Sequence, residues 1–188
     1  METRDILDKI RKTESPLKRQ LLTTALITRL LEQKGKPSPT LIGGCALSYY
    51  SREVYFTSDI DIAYSDTEAL DEVLRELDFV RQGRYWVNET LNVALEAPAG
   101  VLVGEDAPLE VVEFEEGLCC QIIGVEDLII DRLNACKHWK SESDGEMVEL
   151  LLKKYYKDVD WEYLEKKASL PENNTKNELS ELKKKVQP

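Results

Sequence analysis

Two aspartates separated by one residue, Asp59 and Asp61, are the side chains of this sequence best suited to hold a divalent cation. The stretch that contains them, SDIDIAY at 58–64, alternates polar and apolar residues. This period of two predicts a half-buried strand with both carboxylates on one face. Holding two carboxylates so close without a cation costs electrostatic energy. Hard oxygen ligands suit Mg²⁺, and Mn²⁺ accepts the same ligands.

A pair of glycines, Gly43 and Gly44, lies between a short predicted strand at 40–42 and a predicted helix at 45–51. Two glycines at such a junction allow a tight turn and let a ligand approach the backbone. The free N–H groups and the positive dipole end of the helix suit a phosphate. Either feature alone is weak evidence for a functional site. Most Gly-Gly turns before a helix bind nothing, and most Asp-x-Asp strands simply have a solvated face. The two in a fixed order, strand, Gly-Gly, helix and Asp-x-Asp strand, are much harder to obtain by chance.

In this order the sequence resembles the DNA polymerase beta-like nucleotidyltransferase superfamily, and within it the small stand-alone enzymes that include abortive-infection and minimal toxin–antitoxin members. Residues 57–61, TSDID, match the family's Thr-x-Asp-h-Asp, where h is apolar, and residues 126–133, EDLIIDRL, match its later Glu-Asp-Leu-Ile helix. These matches together span residues 22–165. The resemblance implies a nucleotidyltransferase-like fold and an enzyme that transfers a nucleoside monophosphate from an NTP to an acceptor hydroxyl.

The resemblance also implies a third carboxylate on a neighbouring strand, and the order of motifs places it at Glu96. Glu110 and Glu113 are alternatives, of which at most one faces the metal, since residues three apart on a strand point to opposite faces. The implied catalytic residues, which are also the ligands of two Mg²⁺ ions, are Asp59, Asp61 and Glu96. The implied nucleotide-binding residues are Gly43, Gly44, Thr57 and Arg132.

Four positions depart from the family pattern or match it weakly. Relatives often carry a lysine where this chain has Arg132; an arginine can grip phosphate with two N–H groups, but the alternative is a helix arginine paired with Asp131. Tyr55 stands near where relatives often place an arginine, and Gly44 where some have a serine. Asp144 is a weaker match to an aspartate that follows the late helix in relatives.

The elements that must position these residues follow from hydrophobic periodicity. Helices are predicted at 16–33, at 67–80 after a Ser-x-x-Glu capping signature at 65–68, and at 125–139, 146–156 and 161–167. Strands are predicted at 85–87, 92–96, 109–114 and 118–123, with a hairpin turn at Gly117. This order predicts an α/β (α+β) protein with a mixed β-sheet flanked by helices.

Length and composition predict one domain. The chain has 188 residues and 21.5 kDa. Residues 1–168 are expected to form a nucleotidyltransferase-like domain, and residues 169–188 a polar, flexible C-terminal tail with no apolar face. No run of about 18 apolar residues occurs, and the first residues lack a secretory signal. Four cysteines without metal-ligand spacing and a single histidine favour a reducing, cytoplasmic location.

Charge narrows the expected partners. Acids outnumber bases, 36 against 25, for a net charge of −11, which excludes nucleic-acid binding through bulk charge. The expected partners are an NTP and an acceptor that is a protein side chain, a small molecule or a tRNA end, with a toxin–antitoxin partner implied by the resemblance. The alternative function is a non-catalytic nucleotide- or protein-binding partner on the same fold.

Overall fold

A mixed β-sheet runs through the computed structural model, which describes residues 2–98 and 107–187. The described residues form seven strands and eight α-helices. The strands are β1 (Thr40–Ile42), β2 (Asp59–Ala63), β3 (Val80–Gln82), β4 (Tyr85–Asn88), β5 (Val93–Glu96), β6 (Glu110–Glu113) and β7 (Cys119–Ile122). The helices are α1 (Thr3–Arg11), α2 (Pro16–Gln33), α3 (Gly43–Ser51), α4 (Thr67–Glu76), α5 (Val125–His138), α6 (Glu142–Lys154), α7 (Trp161–Ala168) and α8 (Lys176–Val186).

The strand order across the sheet is β3-β4-β5-β2-β1-β7-β6. The pairs β1/β7 and β2/β5 are parallel, and the other neighbouring pairs are antiparallel. The predicted mixed sheet flanked by helices is therefore confirmed, as is the hairpin that joins β6 to β7. Strand β2 lies in the middle of the sheet, between β1 and β5, so it is supported on both sides.

The two faces of β2 differ as the alternation predicts. Ile60 and Ile62 are fully buried, whereas Asp59, Asp61 and Ala63 on the other face are partly exposed. Fully burying an isoleucine stabilises the fold by about 1.5–3 kcal/mol, so the apolar face holds the register that keeps the two aspartates on the open face.

Helix α2 begins as predicted, with Pro16 in its first turn. The hydroxyl of Ser15 caps it by accepting a hydrogen bond from the Lys18 N–H at 3.1 Å. Its interior is apolar, and Leu22 and Leu26 are almost completely buried. The helix packs against β7 and β2, which places its first turns beside the start of the strand that carries the aspartates.

The helix predicted at 67–80 is shorter than expected. It ends at Glu76, and Asp78 adopts a left-handed backbone (φ +61°) that turns the chain into β3, a strand that the sequence did not predict. Its N-cap is Asp66 rather than Ser65: the carboxylate accepts a hydrogen bond from the Ala69 N–H at 3.0 Å. An ionised carboxylate is a stronger acceptor than a hydroxyl at the positive end of a helix.

The C-terminal segment packs against the body of the protein, which differs from the expectation of a tail without an apolar face. Helix α8 buries Leu179 and Val186, and it contacts α6, α7 and α5. Asn173, which precedes it, is buried and accepts a hydrogen bond at 2.7 Å from the Asn134 side chain on α5. The apolar residues of α8 that contact the core are Leu179, Leu182 and Val186, at i, i+3 and i+7, so the helix has a narrow apolar face that the expectation of a loose tail overlooked. Helix α1, which buries Ile6 and Ile10, was also not predicted.

The cysteines are as the sequence predicts. Cys45 and Cys120 are buried, and all four cysteines are free thiols. Burial raises the pKa of Cys120 to about 12, so this side chain is an inert, protonated part of the core. Among the described residues, no helix is both long enough and apolar enough to cross a membrane.

Candidate active site

The three acids of the predicted site lie on two neighbouring strands. Asp59 and Asp61 are the first and third residues of β2, and Glu96 is the last residue of β5. Because β2 and β5 are parallel and in register, Asp61 lies directly opposite Glu96. Register partners point to the same face of a sheet, with side chains that start about 5 Å apart. The three carboxylates therefore share one face.

The glycine turn lies against the middle acid. Ile42, the last residue of β1, is the register partner of Asp61, so the chain enters the turn beside that carboxylate. The Gly44 N–H donates a hydrogen bond to Asp61 Oδ2 at 3.3 Å. A Cβ atom added to Gly43 would lie 2.3 Å from the same oxygen, and one added to Gly44 would lie 3.0 Å from the Thr57 side chain. Only a turn without side chains lets α3 begin this close to the carboxylates.

Of the three acids, Asp61 has a pKa that is clearly raised. Burial raises its pKa most, and the charges of Asp59 and Glu96 raise it further. The Gly44 N–H and the positive charge of Arg132 act in the opposite direction without cancelling the rise. A carboxylate in this position lacks a compensating positive charge, and a divalent cation would supply one.

Each acid has a different local hydrogen-bond or ion-pair partner. The Thr57 hydroxyl donates to Asp59 Oδ1, the Gly44 N–H donates to Asp61, and Arg84 Nε lies 3.4 Å from Glu96 Oε2. In the described residues, no group of three His, Cys, Asp or Glu side chains is arranged so that it could hold a metal ion.

The two alternative third carboxylates lie far from the aspartates. Glu110 and Glu113 are on β6, at the opposite edge of the sheet, and β1 and β7 separate that strand from β2. Three strand spacings amount to about 14 Å. Glu110 instead accepts a hydrogen bond from the Tyr49 hydroxyl at 3.3 Å. Among the three candidates, Glu96 is the acid that the strand order brings next to Asp61.

Arg132 occupies a mostly buried position on α5. Its guanidinium donates to Asp131 Oδ2 and, at 3.0 Å, to Asp144 Oδ1 on α6. Burial alone would lower its pKa, but these two carboxylates outweigh burial and raise it. Of the two alternatives from the sequence, the ion pair with Asp131 is present, and phosphate binding by Arg132 stays a prediction. The charge of Arg132 also acts to lower the pKa of Asp61. Asp144 fixes the guanidinium from the second helix.

A buried glutamine that the sequence did not single out supports the start of β2. Gln20 on α2 is only 3% exposed. Its side-chain amide donates to the carbonyl oxygens of Thr57 at 3.0 Å and Asp59 at 3.3 Å, and its carbonyl faces the Cys45 thiol at 3.5 Å. A polar residue within the apolar face of a helix was the available signal. Gln20 ties α2, α3 and β2 together directly behind the aspartates.

Replacing Gln20 with leucine is expected to destabilise the fold by about 1–3 kcal/mol, because it removes the Gln20 amide from two partly buried carbonyl groups. The measurement is urea unfolding. Gln33→Leu is the matched control, since it makes the same change at an exposed position of the same helix, where about 0.5 kcal/mol or less is expected. Equal stability of the two variants would show that the Gln20 hydrogen bonds do not hold β2 in place.

Comparisons with known proteins show a distant structural likeness. No protein-family model matches the chain, and no curated protein matches it. Among solved structures, the chain is similar to one described as "Solution Structure of Antibiotic-Resistance Factor ANT(2'')-Ia Reveals Substrate-Regulated Conformation Dynamics", with a TM-score of 0.48 and 15% sequence identity over 98% of each chain. At this distance the function has to be argued from the side chains themselves.

Proposed function

We propose that this protein is a metal-dependent nucleotidyltransferase that transfers a nucleoside monophosphate from an NTP to an acceptor hydroxyl. The observation that carries the proposal is the placement of Asp61 opposite Glu96, with the Gly43-Gly44 turn against the same carboxylate. This transfer needs a face that binds a cation and a turn that binds phosphate. In this chain the face that carries the three acids and the glycine turn are in contact.

The donor types suit Mg²⁺, and the three side chains would have to turn towards one another to hold it. Asp59, Asp61 and Glu96 are hard oxygen ligands on one face. The raised pKa of Asp61 reflects its burial and, after that, the charges of Asp59 and Glu96, which a cation would offset. These three residues would hold one or two Mg²⁺ ions, with Mn²⁺ as a substitute. When bound, such an ion lowers the pKa of an attacking hydroxyl and neutralises the charge of the phosphates.

The chain itself contributes binding and orientation. The missing side chains at Gly43 and Gly44 let the turn lie directly against Asp61 and Thr57. A triphosphate would be bound by the positive N-terminal end of α3, which begins at this turn. Thr57 orients the Asp59 carboxylate through its hydroxyl. Arg132, fixed by Asp144, would attract the β- and γ-phosphates.

The reaction is a substitution at the α-phosphorus. The acceptor oxygen bonds to the α-phosphorus, the bond from that phosphorus to the oxygen that bridges to the β-phosphorus breaks, and pyrophosphate leaves with the bridging oxygen. The acceptor proton passes to solvent or to a carboxylate. The net charge of −11 disfavours a long nucleic acid as acceptor, and leaves a protein side chain, a small molecule or a tRNA end. A toxin–antitoxin partner remains part of the proposal.

The test follows two radioactive labels of one NTP in the presence of Mg²⁺ or Mn²⁺, with the protein itself, small molecules and tRNA offered as acceptors. Label in the α-phosphate should appear on an acceptor, while label in the γ-phosphate should appear in pyrophosphate. The variant Asp59→Asn/Asp61→Asn should lose both signals. Asp66→Asn is the matched control, because this aspartate caps α4 outside the site and asparagine is an equally good cap.

Transfer of the γ-label to an acceptor would make the protein a kinase and contradict the proposal. Absence of any transfer by the wild type with all four NTPs, together with NTP binding measured by calorimetry, would favour the alternative of a non-catalytic nucleotide-binding partner.

A further inference from the structure

The hairpin between β3 and β4 places an arginine, Arg84, at the edge of the sheet face that carries Asp59, Asp61 and Glu96. We call this the acidic face. Gly83 makes the turn with a left-handed backbone (φ +64°), and Arg84 follows it. The first residue of β4, Tyr85, is the register partner of Glu96, so the turn lies beside that acid. Arg84 Nε lies 3.4 Å from Glu96 Oε2. The arginine side chain is 69% exposed, whereas that of Glu96 is only 15% exposed.

The tyrosine holds the guanidinium in this place. The Tyr85 hydroxyl accepts a hydrogen bond from Arg84 Nη2, and the guanidinium carbon lies 4.8 Å from the centre of the tyrosine ring. The hydrogen bond to Tyr85 raises the pKa of Arg84 most, and the charges of Glu96 and, more weakly, Asp59 add to the rise. Arg84 is thus directed at the carboxylates by Tyr85, the next residue in the chain.

Of the three local donors on the acidic face, Arg84 is the charged one; the others are the Thr57 hydroxyl and the Gly44 N–H. A guanidinium on Glu96 lowers the repulsion between the acids, as a metal ion would. Both cannot use the same carboxylate oxygen at full strength. The exposure of Arg84 lets it move into solvent at little cost, which the buried Arg132 cannot do.

We infer that Arg84 is a built-in counter-ion that occupies Glu96 in the metal-free protein and competes with the divalent cation for it. The inference rests on the proposed function, because it takes Glu96 to be a metal ligand. Arg84 is a positioning residue in this role: through its contact with Glu96 it sets the concentration of cation at which the site fills. Once displaced, the guanidinium lies free at the edge of the same face.

The test measures Mn²⁺ binding by the full-length protein, from the electron paramagnetic resonance signal of free Mn²⁺. The variant Arg84→Met keeps the apolar stem and removes the charge. It should bind Mn²⁺ about two- to fivefold more tightly than the wild type, the range that an exposed ion pair supports. Arg81→Met is the matched control, since it removes the same charge from the same hairpin, where the guanidinium lies 4.7 Å from the Trp86 ring. Its affinity should stay within about 1.5-fold of wild type.

A second comparison separates the contact with Glu96 from a diffuse effect of charge. In the Glu96→Gln background, Arg84→Met should change the Mn²⁺ dissociation constant by less than about 1.5-fold. A shift that is as large in this background as in the wild type would overturn the inference, as would equal affinities of Arg84→Met and Arg81→Met.

The failure of the inference is distinguishable from the failure of the proposed function. If wild-type Mn²⁺ binding is lost in Asp61→Asn while Arg84→Met and Arg81→Met bind alike, only the role of Arg84 is wrong. If the wild type binds no Mn²⁺ at millimolar concentration, the metal site itself is wrong, and both proposals fall. Thermal unfolding with and without Mn²⁺ gives a readout independent of transfer: Arg84→Met should gain more in melting temperature from the ion than Arg81→Met does.

Discussion

Asp61→Asn is expected to make the folded protein more stable and, at the same time, to reduce nucleotide transfer by on the order of 100-fold or more. The Asp61 carboxylate is held half-buried beside Asp59 and Glu96, and its raised pKa shows that the fold disfavours its charge. Asparagine has nearly the same shape and offers an oxygen to the Gly44 N–H, but it carries no charge. The substitution therefore removes a repulsion from the fold and a ligand from the metal site.

The stabilisation should depend on pH in a defined direction. An acid whose pKa in the folded state lies above its ordinary value of 3.8 keeps its proton longer in the folded than in the unfolded protein. The free energy of unfolding of the wild type therefore falls as pH rises from about 4 through the folded-state pKa. Asp61→Asn lacks this loss. The difference in melting temperature should be near zero below pH 4 and largest at neutral pH.

Two comparisons check this result by thermal unfolding. Asp66→Asn should have the opposite sign at neutral pH, because the ion pair with Lys36 lowers the pKa of Asp66 and its charge stabilises the fold. Saturating Mg²⁺ should raise the melting temperature of the wild type but not that of Asp61→Asn. An Asp61→Asn protein that is less stable than wild type at pH 7 would show that the carboxylate is satisfied in the fold, and would remove the main reason to expect a cation there.

The local part of the site was predictable from the sequence because it depends on short-range rules. Alternation along residues 58–64 is enough to place Asp59 and Asp61 on one face, since a one-residue slip would expose Ile60 and Ile62. The glycine pair likewise depends on neighbours in the chain, although the helix begins at Gly43 itself and not at residue 45 as predicted. Both features lie where they were predicted, and the contact between Gly44 and Asp61 joins them.

What could not be predicted depends on the order and register of strands far apart in the sequence. Periodicity alone treats Glu96 and Glu110 alike as strand glutamates, and it was the resemblance that favoured Glu96. The sheet order is what places Glu96 next to β2 and Glu110 at the far edge. Arg84 reaches Glu96 because of the unpredicted hairpin from β3 to β4, which begins where α4 was expected to continue. Gln20 was hidden for the same reason, because its partners are 37 and 39 residues away.

Among the described glycines with a left-handed backbone, Gly43 is expected to be the one whose replacement by alanine destabilises the fold most. Gly43 has φ +61°, so alanine there carries about 1–2 kcal/mol of backbone strain. The added Cβ would also lie 2.3 Å from Asp61 Oδ2, 2.8 Å from its Cγ and 2.9 Å from its Cβ. Either the turn or the carboxylate must move, which adds about 1–3 kcal/mol. Because both parts belong to the proposed site, transfer should fall with stability.

Gly35→Ala separates the strain from the clash. Gly35 has φ +72°, and a Cβ added there meets no atom within 4 Å. In urea unfolding this variant should therefore lose only the backbone-strain part of the free energy, about 1–2 kcal/mol. In the Asp61→Ala background the excess cost of Gly43→Ala should shrink, since the carboxylate that it strikes is gone, whereas the cost of Gly35→Ala should not change. Equal losses for the two glycines in the wild type would mean that the turn is not pressed against Asp61. The proposed transfer depends on the contact between the glycine turn and Asp61, and it would lose its main support if the two were separate.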